Sequence, residues 1–218
     1  MNKKVGKMTL SMALAAALAF APAQAFAAPA TDISGHWAEK VITQWQEKGL
    51  ISGYEDGTFK PDNSVTRAEF VIMLNKVLGF TQKGNVTFSD VSANAWYYDA
   101  VAIAVEAGYC AGYEDGTFKP NATITRAEAA VMIAKAKELT ANTEAADKFT
   151  DASRIPVWAR GSVGAVSAAG FMTGRTDGTF DATNTITRAE AVSSLDRTME
   201  KEETDEEAKD VVVTEDDT

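Results

Sequence analysis

Apolar residues recur three and four positions apart in short blocks, and polar, glycine-rich stretches separate the blocks. In one set, Trp37, Val41, Ile42 and Trp45 fall on a single helical face. Trp96, Ala100, Val101 and Ala104 repeat that pattern, as do Trp158, Val163 and Val166. Pro156 fits the first turn of the third such helix, where a missing N–H costs little. Gly49, Gly108 and Gly170 stand where these helices should stop. A second set of apolar faces comprises Phe70, Val71, Leu74, Val77 and Leu78, then Ala129, Ala130, Ile133 and Ala134, then Ala191, Val192 and Leu195. Between the sets, Asp56-Gly57, Asp115-Gly116 and Asp177-Gly178 signal tight turns, each followed by a short extended Thr-Phe. The pattern predicts helix, turn-rich loop, helix, three times over: a mainly α chain.

The blocks are copies of one unit. Thr-Arg-Ala-Glu occurs at Thr66–Glu69, Thr125–Glu128 and Thr187–Glu190, with Arg67, Arg126 and Arg188 spaced by 126−67=59 and 188−126=62 residues. Trp37, Trp96 and Trp158 keep the same two offsets. Gly53-Tyr-Glu-Asp-Gly-Thr-Phe59 returns as Gly112–Phe118, and more loosely as Gly174–Phe180. Asp32, Asp90 and Asp151 open the copies.

Thr66 as N-cap with Glu69 three residues on makes a capping box, which explains both residue types. The arginine is not explained this way. At the first helical position it meets the positive end of the helix dipole, a penalty of about 0.3–1 kcal/mol. Two readings stay open. Each arginine pairs internally, for instance with the opening aspartate, or it completes an anion site with the helix N-terminus.

Composition narrows the function. One Cys excludes an intrachain disulfide framework and a Cys-clustered zinc site, and one His excludes multi-His metal centres. A net charge of −10 argues against nucleic acid as a partner. Residues 1–27 read as a signal peptide: Lys3, Lys4 and Lys7, the apolar run Met8 to Phe20, then Ala25-Phe26-Ala27. The run is too short for a comfortable membrane span, which needs about 20 apolar residues. No later segment is continuously apolar. The segment 200–218 carries ten acids and two lysines, a solvated tail by its charge. Cys110 aligns with Ile51 and Met172 and so reads as a buried small hydrophobe, while His36 occurs in one copy alone.

In order and register, the opening aspartate, the tryptophan, Gly-Tyr-x-Asp-Gly-Thr-Phe-x-Pro and Thr-Arg-Ala-Glu resemble the S-layer homology (SLH) domain over about residues 31–196. The resemblance implies three tandem helix-loop-helix repeats forming a pseudo-threefold spindle with a central helical bundle. The repeats would occupy 28–80, 81–140 and 141–199, between the signal peptide and the tail at 200–218. It further implies noncovalent anchoring of a secreted protein at the cell wall, through peptidoglycan-linked secondary cell-wall polysaccharide bearing a pyruvate ketal. The ligand would lie in grooves between neighbouring repeats.

By resemblance, Arg67, Arg126 and Arg188 would meet the ligand carboxylate. Asp32, Asp90 and Asp151 would contact ligand or shape the groove. Trp37, Trp96 and Trp158 would flank the groove or fill the core. Gly53, Gly112 and Gly174 would let a sugar approach the loop backbone, although a turn requirement explains them too. Alanine in place of one motif arginine would then weaken wall binding without unfolding the domain. No enzymatic activity, cofactor or metal is implied.

Repeat three departs from the pattern, with Arg175-Thr176 for Tyr-Glu and Asp181-Ala182 for Lys-Pro, and repeat one has Ala30 where the others carry Phe88 and Phe149. The alternative function is a self-associating scaffold that contacts other surface-layer proteins, its arginines serving only internal ion pairs.

Overall fold

The computed structural model describes residues 30–199. The expected signal peptide and the acidic tail lie outside the described residues. The elements are α1 (Glu39–Glu47), α2 (Arg67–Val77), α3 (Tyr98–Glu106), α4 (Arg126–Ala136), the short α5 (Thr143–Ala146), a 3-10 turn (Ala152–Arg154), α6 (Val157–Ala168) and α7 (188–199). Among the described residues, β pairing is limited to isolated bridges, and no helix is long and apolar enough to cross a membrane.

Local chemistry sets the helix ends. Thr66 with Glu69 and Thr125 with Glu128 form complete capping boxes, and Thr187 with Glu190 repeats the reciprocal bonds. At the other end of α1, Gly49 takes φ 69°, and the Leu50 amide reaches back to the Trp45 carbonyl at 2.9 Å. That is the left-handed stop that glycine allows without a Cβ clash.

The three motif helices start around a closed backbone ring. Val65 N donates to Ile186 O, Ile124 N to Val65 O, and Ile186 N to Ile124 O, each at 3.1 Å. All three residues are fully buried. Bridges Ser64–Thr187, Thr66–Thr123 and Thr125–Thr185 surround this ring. Each motif helix then packs on the first helix of the following repeat: α2 on α3, α4 on α6. α7 closes the circle on α1, where the buried Trp45 donates Nε1–H to Asp196 Oδ1 at 2.7 Å. The repeats interlock cyclically, so the core is continuous and no repeat holds a complete core of its own.

The motif-helix faces are buried as their periodicity requires: Phe70, Val71 and Leu74, then Ala129, Ala130 and Ile133, then Ala191, Val192 and Leu195. The first-helix faces differ from the expectation at one position. Trp37, Trp96 and Trp158 do not join the apolar stripe; the next residue turns inward instead, as Ala38, Tyr97 and Ala159. α1 and α3 begin only after their tryptophan, which removes it from the helical phase.

Repeat three also gains α5, which packs along α6. Asn142 caps α5 through Oδ1, and Gly161 and Gly164 on α6 let this segment lie against the helix backbone.

Candidate functional site

Each motif arginine leaves its own repeat. Arg67 donates Nε–H to Phe118 O at 2.9 Å and Nη1–H to Glu128 Oε1 at 3.1 Å. Arg188 repeats this with Phe59 O and Glu69 Oε1, both at 2.9 Å. Arg126 donates to Phe180 O at 2.8 Å and Thr173 O at 3.0 Å, and its Nη1 lies 3.5 Å from Glu190 Oε2. All three are 4–5% exposed. The partner is therefore the motif glutamate of the next repeat in the ring and not the opening aspartate. Each glutamate caps its own helix and receives a guanidinium from elsewhere.

The helix N-terminus is not an open anion site either. Arg67 N and Ala68 N donate to Ala122 O and Pro120 O, both at 3.0 Å, and the Glu69 amide donates to Thr66 Oγ1. The other two motif helices are closed in the same way. The orphan amides of the first turn are thus met by protein.

The opening aspartates serve as clamps. Asp32 accepts from the Phe59 and Lys60 amides at 2.7 and 2.8 Å, and Asp90 and Asp151 do the same at Phe118 and Lys119, and at Phe180 and Asp181. This fixes Lys60, Lys119 and Asp181 in the left-handed region, with φ of 56°, 56° and 62°. The aspartates shape the loops and do not line the three grooves described below.

The loop glycines also have a packing reason. A Cβ on Gly112 would lie 2.3 Å from the Phe88 ring, and one on Gly53 would lie 2.7 Å from Thr58 O. The protein itself occupies the space close to these backbones.

Three grooves open beside the arginines. One, of about 580 Å³, is bordered by Arg67, Gly112, Tyr113, Glu128 and Trp158. A second, of about 450 Å³, has Arg126, Gly174, Arg175, Glu190 and Trp37. The third, of about 200 Å³, has Arg188, Gly53, Tyr54, Glu69 and Trp96. Every groove combines an arginine from one repeat, a glycine loop and glutamate from the next, and a tryptophan from the remaining one. They are not simple two-repeat clefts. The three tryptophans are 62–68% exposed, whereas Trp45 is fully buried. Packing accounts for Trp45, whereas Trp37 and Trp96 make ring contacts only with their chain neighbours His36 and Tyr97 among the described residues.

Sequence reasoning missed the loop tyrosines. Tyr113 donates its hydroxyl to Glu128 at 2.5 Å, and its ring lies between Arg67 Cζ at 4.7 Å and Lys119 Nζ at 4.1 Å. Tyr54 sits likewise between Arg188 and Lys60. Arg175 takes this place in repeat three, bonded to Glu190 Oε1 at 3.0 Å and to Asp181 Oδ2 at 2.6 Å. Exchange of Tyr-Lys for Arg-Asp thus preserves the contact to glutamate, swapping a cation–π pair for an ion pair. That paired departure was visible in the aligned repeats as a signal that the two positions touch.

Burial alone would raise the Glu128 pKa, but the Tyr113 hydroxyl, the Thr125 amide and Arg67 outweigh it and hold the carboxyl below its ordinary value. Burial and that carboxylate push the Tyr113 phenol up to about 12. Burial lowers Arg126 and raises the Cys110 thiol.

Asp56, held near 2 by the Thr58 hydroxyl and amide, and Asp32, Asp115 and Asp177 also sit below the ordinary carboxylate value. These groups release protons more readily folded than unfolded. Their contribution is complete above the unfolded values of about 3.9–4.3 and is lost as pH falls through the folded ones. Melting temperature should therefore change little between about pH 8 and pH 5 and drop below about pH 4. A melt series that instead falls first on the alkaline side would contradict this assignment.

The S-layer homology domain matches at residues 31–71, 87–130 and 148–192. The chain belongs to the S-layer homology domain family. The three matches coincide with the three repeats. This SLH chain is 32% identical over 170 residues to cell surface glycoprotein 1 of Acetivibrio thermocellus, covering 72% of this chain and 7% of that protein. It is 36% identical over 142 residues to the surface-layer 125 kDa protein of Lysinibacillus sphaericus, covering 65% of this chain and 12% of that one. To the cellulosome-anchoring protein of Acetivibrio thermocellus it is 34% identical over 159 residues, 70% of this chain and 36% of that protein. It spans a minor part of each relative's length. The family places the SLH chain at the bacterial cell surface.

Proposed function

We propose that the SLH chain is a non-enzymatic module that anchors noncovalently to the cell wall. It would do so by binding secondary cell-wall polysaccharide, with a pyruvate ketal as the anionic group, in its three grooves. The observation that carries this reading is the set of three exposed indoles, each lining the same groove as a buried guanidinium. An indole face suits the apolar face of a sugar, and a guanidinium suits a carboxylate. Arg67 and Arg188 each keep Nη2 without a protein acceptor among the described residues, so they can serve structure and ligand together. Three grooves on one chain add avidity. The negative charge of the protein opposes an anionic polymer only over about 8 Å at physiological salt, within which local contacts dominate.

The test is cosedimentation with purified walls, native or stripped of polysaccharide. The variant W37A/W96A/W158A should keep its stability to within about 0.5 kcal/mol, because these side chains are exposed. It should bind native walls at least about tenfold more weakly, the loss of apolar contact being multiplied across grooves. Equal binding by variant and wild type would reject the grooves as the site. The same exposed indoles would also suit contact between copies or with other surface-layer proteins. Light scattering that shows oligomers indifferent to polysaccharide would favour that scaffold reading.

A further inference from the structure

The motif arginines are spent largely on the protein itself, and so are the loop lysines. Lys60 and Lys119 pair with Asp56 and Asp115 at 3.0 and 3.4 Å. One cation per groove has no such partner among the described residues. Nine residues after each motif arginine stand Lys76, Lys135 and Arg197, and each lines the groove of its own repeat's glycine loop. Among the described residues none of the three forms an ion pair; Arg197 has one bond, to the Phe171 carbonyl at 3.3 Å.

Last-turn cations also complement a helix dipole, which favours any basic residue near the C-terminus. That effect does not require the side chain to face a groove, nor the same position in every repeat. The second helix of repeat two carries Lys137 as well, a residue with no basic counterpart at Leu78 or Met199. Only the position nine residues after the arginine is basic in all three.

We infer that Lys76, Lys135 and Arg197 supply the charge that pairs with the anionic substituent of the bound polysaccharide, alongside the motif arginines. The inference rests on the anchoring function proposed above and adds the residues that select for a charged ligand. A lysine ammonium in grooves one and three brings a mobile point charge, and Arg197 brings a planar fork in the remaining groove. An uncompensated cation gives its full interaction to the ligand, whereas a guanidinium already shared with glutamate gives only part. The backbone that carries each cation belongs to α2, α4 and α7, whose first turns are locked into the central ring, so the ordering needed on binding is confined to the side chain.

The test compares K76M/K135M/R197M with K48M/K83M/K148M, which removes the same charge from exposed positions outside the grooves. Two probes are used: native walls, and walls whose carboxylates have been converted to neutral amides by carbodiimide activation in the presence of ammonia. Wild type should bind native walls more tightly than amidated ones. The groove variant should bind native walls about tenfold more weakly, the size expected for one charge-assisted contact. It should match wild type on amidated walls, and the control variant should behave as wild type on native walls.

Equal loss in both variants would reduce the effect to net charge and overturn the inference. Unaltered binding of native walls by the groove variant would do the same, as would an equal loss on both wall types. The tryptophan variant separates the two claims, since it should lose affinity for native and amidated walls alike. Retained loss in that variant, with no effect of the cations, would leave anchoring standing and remove this inference alone. No binding of either wall by wild type would remove both.

Discussion

Arg67→Ala should destabilise the domain by about 3–5 kcal/mol, as expected when one partner of a buried ion pair is removed. The variant strands the Glu128 carboxylate, whose side chain is only 17% exposed, and leaves Phe118 O without its donor. It also empties the space between the Tyr113 and Phe118 rings. This differs from the effect implied by resemblance, a weakened grip on the wall with an intact fold. A motif arginine is a structural bolt between repeats as well as a groove residue, so its removal acts on both. Urea unfolding monitored by far-UV circular dichroism would measure the loss.

Arg67→Met with Glu128→Gln should cost less than the sum of the single changes. The pair removes both charges, while glutamine still completes the capping box. Arg67→Ala stability within about 1 kcal/mol of wild type would mean that the ring of ion pairs contributes no more than a surface pair.

Gly164→Ala is expected to be the other severe substitution. On an exposed helix this change is favourable by about 1 kcal/mol, because alanine is the better helix former. Here the new Cβ would lie 1.6 Å from Asn142 O, 2.8 Å from its carbonyl carbon and 2.9 Å from Ala146 N. All three are backbone atoms, so α5 and the turn before it must move away from α6. Overpacking of this kind costs about 1–3 kcal/mol or more, and the lost packing against α6 adds to it. Gly161→Ala comes within 2.9 Å of the Ala141 Cβ but no nearer than 3.6 Å to backbone, and should be milder. A stabilised Gly164→Ala variant in chemical denaturation would show that α5 contributes nothing to the packing of repeat three.

Much of the fold was legible because it depends on residues close in sequence. Thr66 and Glu69 are three apart, Asp56 and Thr58 two apart, and Gly49 ends its helix by its own backbone freedom. The burial of Cys110 followed from alignment with Ile51 and Met172, all three buried. Less legible was the first-helix face, because periodicity treats any large aromatic as core and cannot register that α1 begins after Trp37. α5 gave no clear pattern at four residues. Its trace was the pair of glycines on α6, whose meaning depends on a neighbour 22 residues upstream, Asn142.

The sequence by itself determined that there are three equivalent units, where the motif helices start, where the first helices stop, and which residue types recur in every unit. It could not determine who pairs with whom. Three identical motifs offer every arginine three identical glutamates, and local chemistry is the same for each choice. Closure of the Val65, Ile124 and Ile186 backbone ring makes the choice, placing each guanidinium 61 or more residues from its partner and each indole in a groove built by the other two repeats.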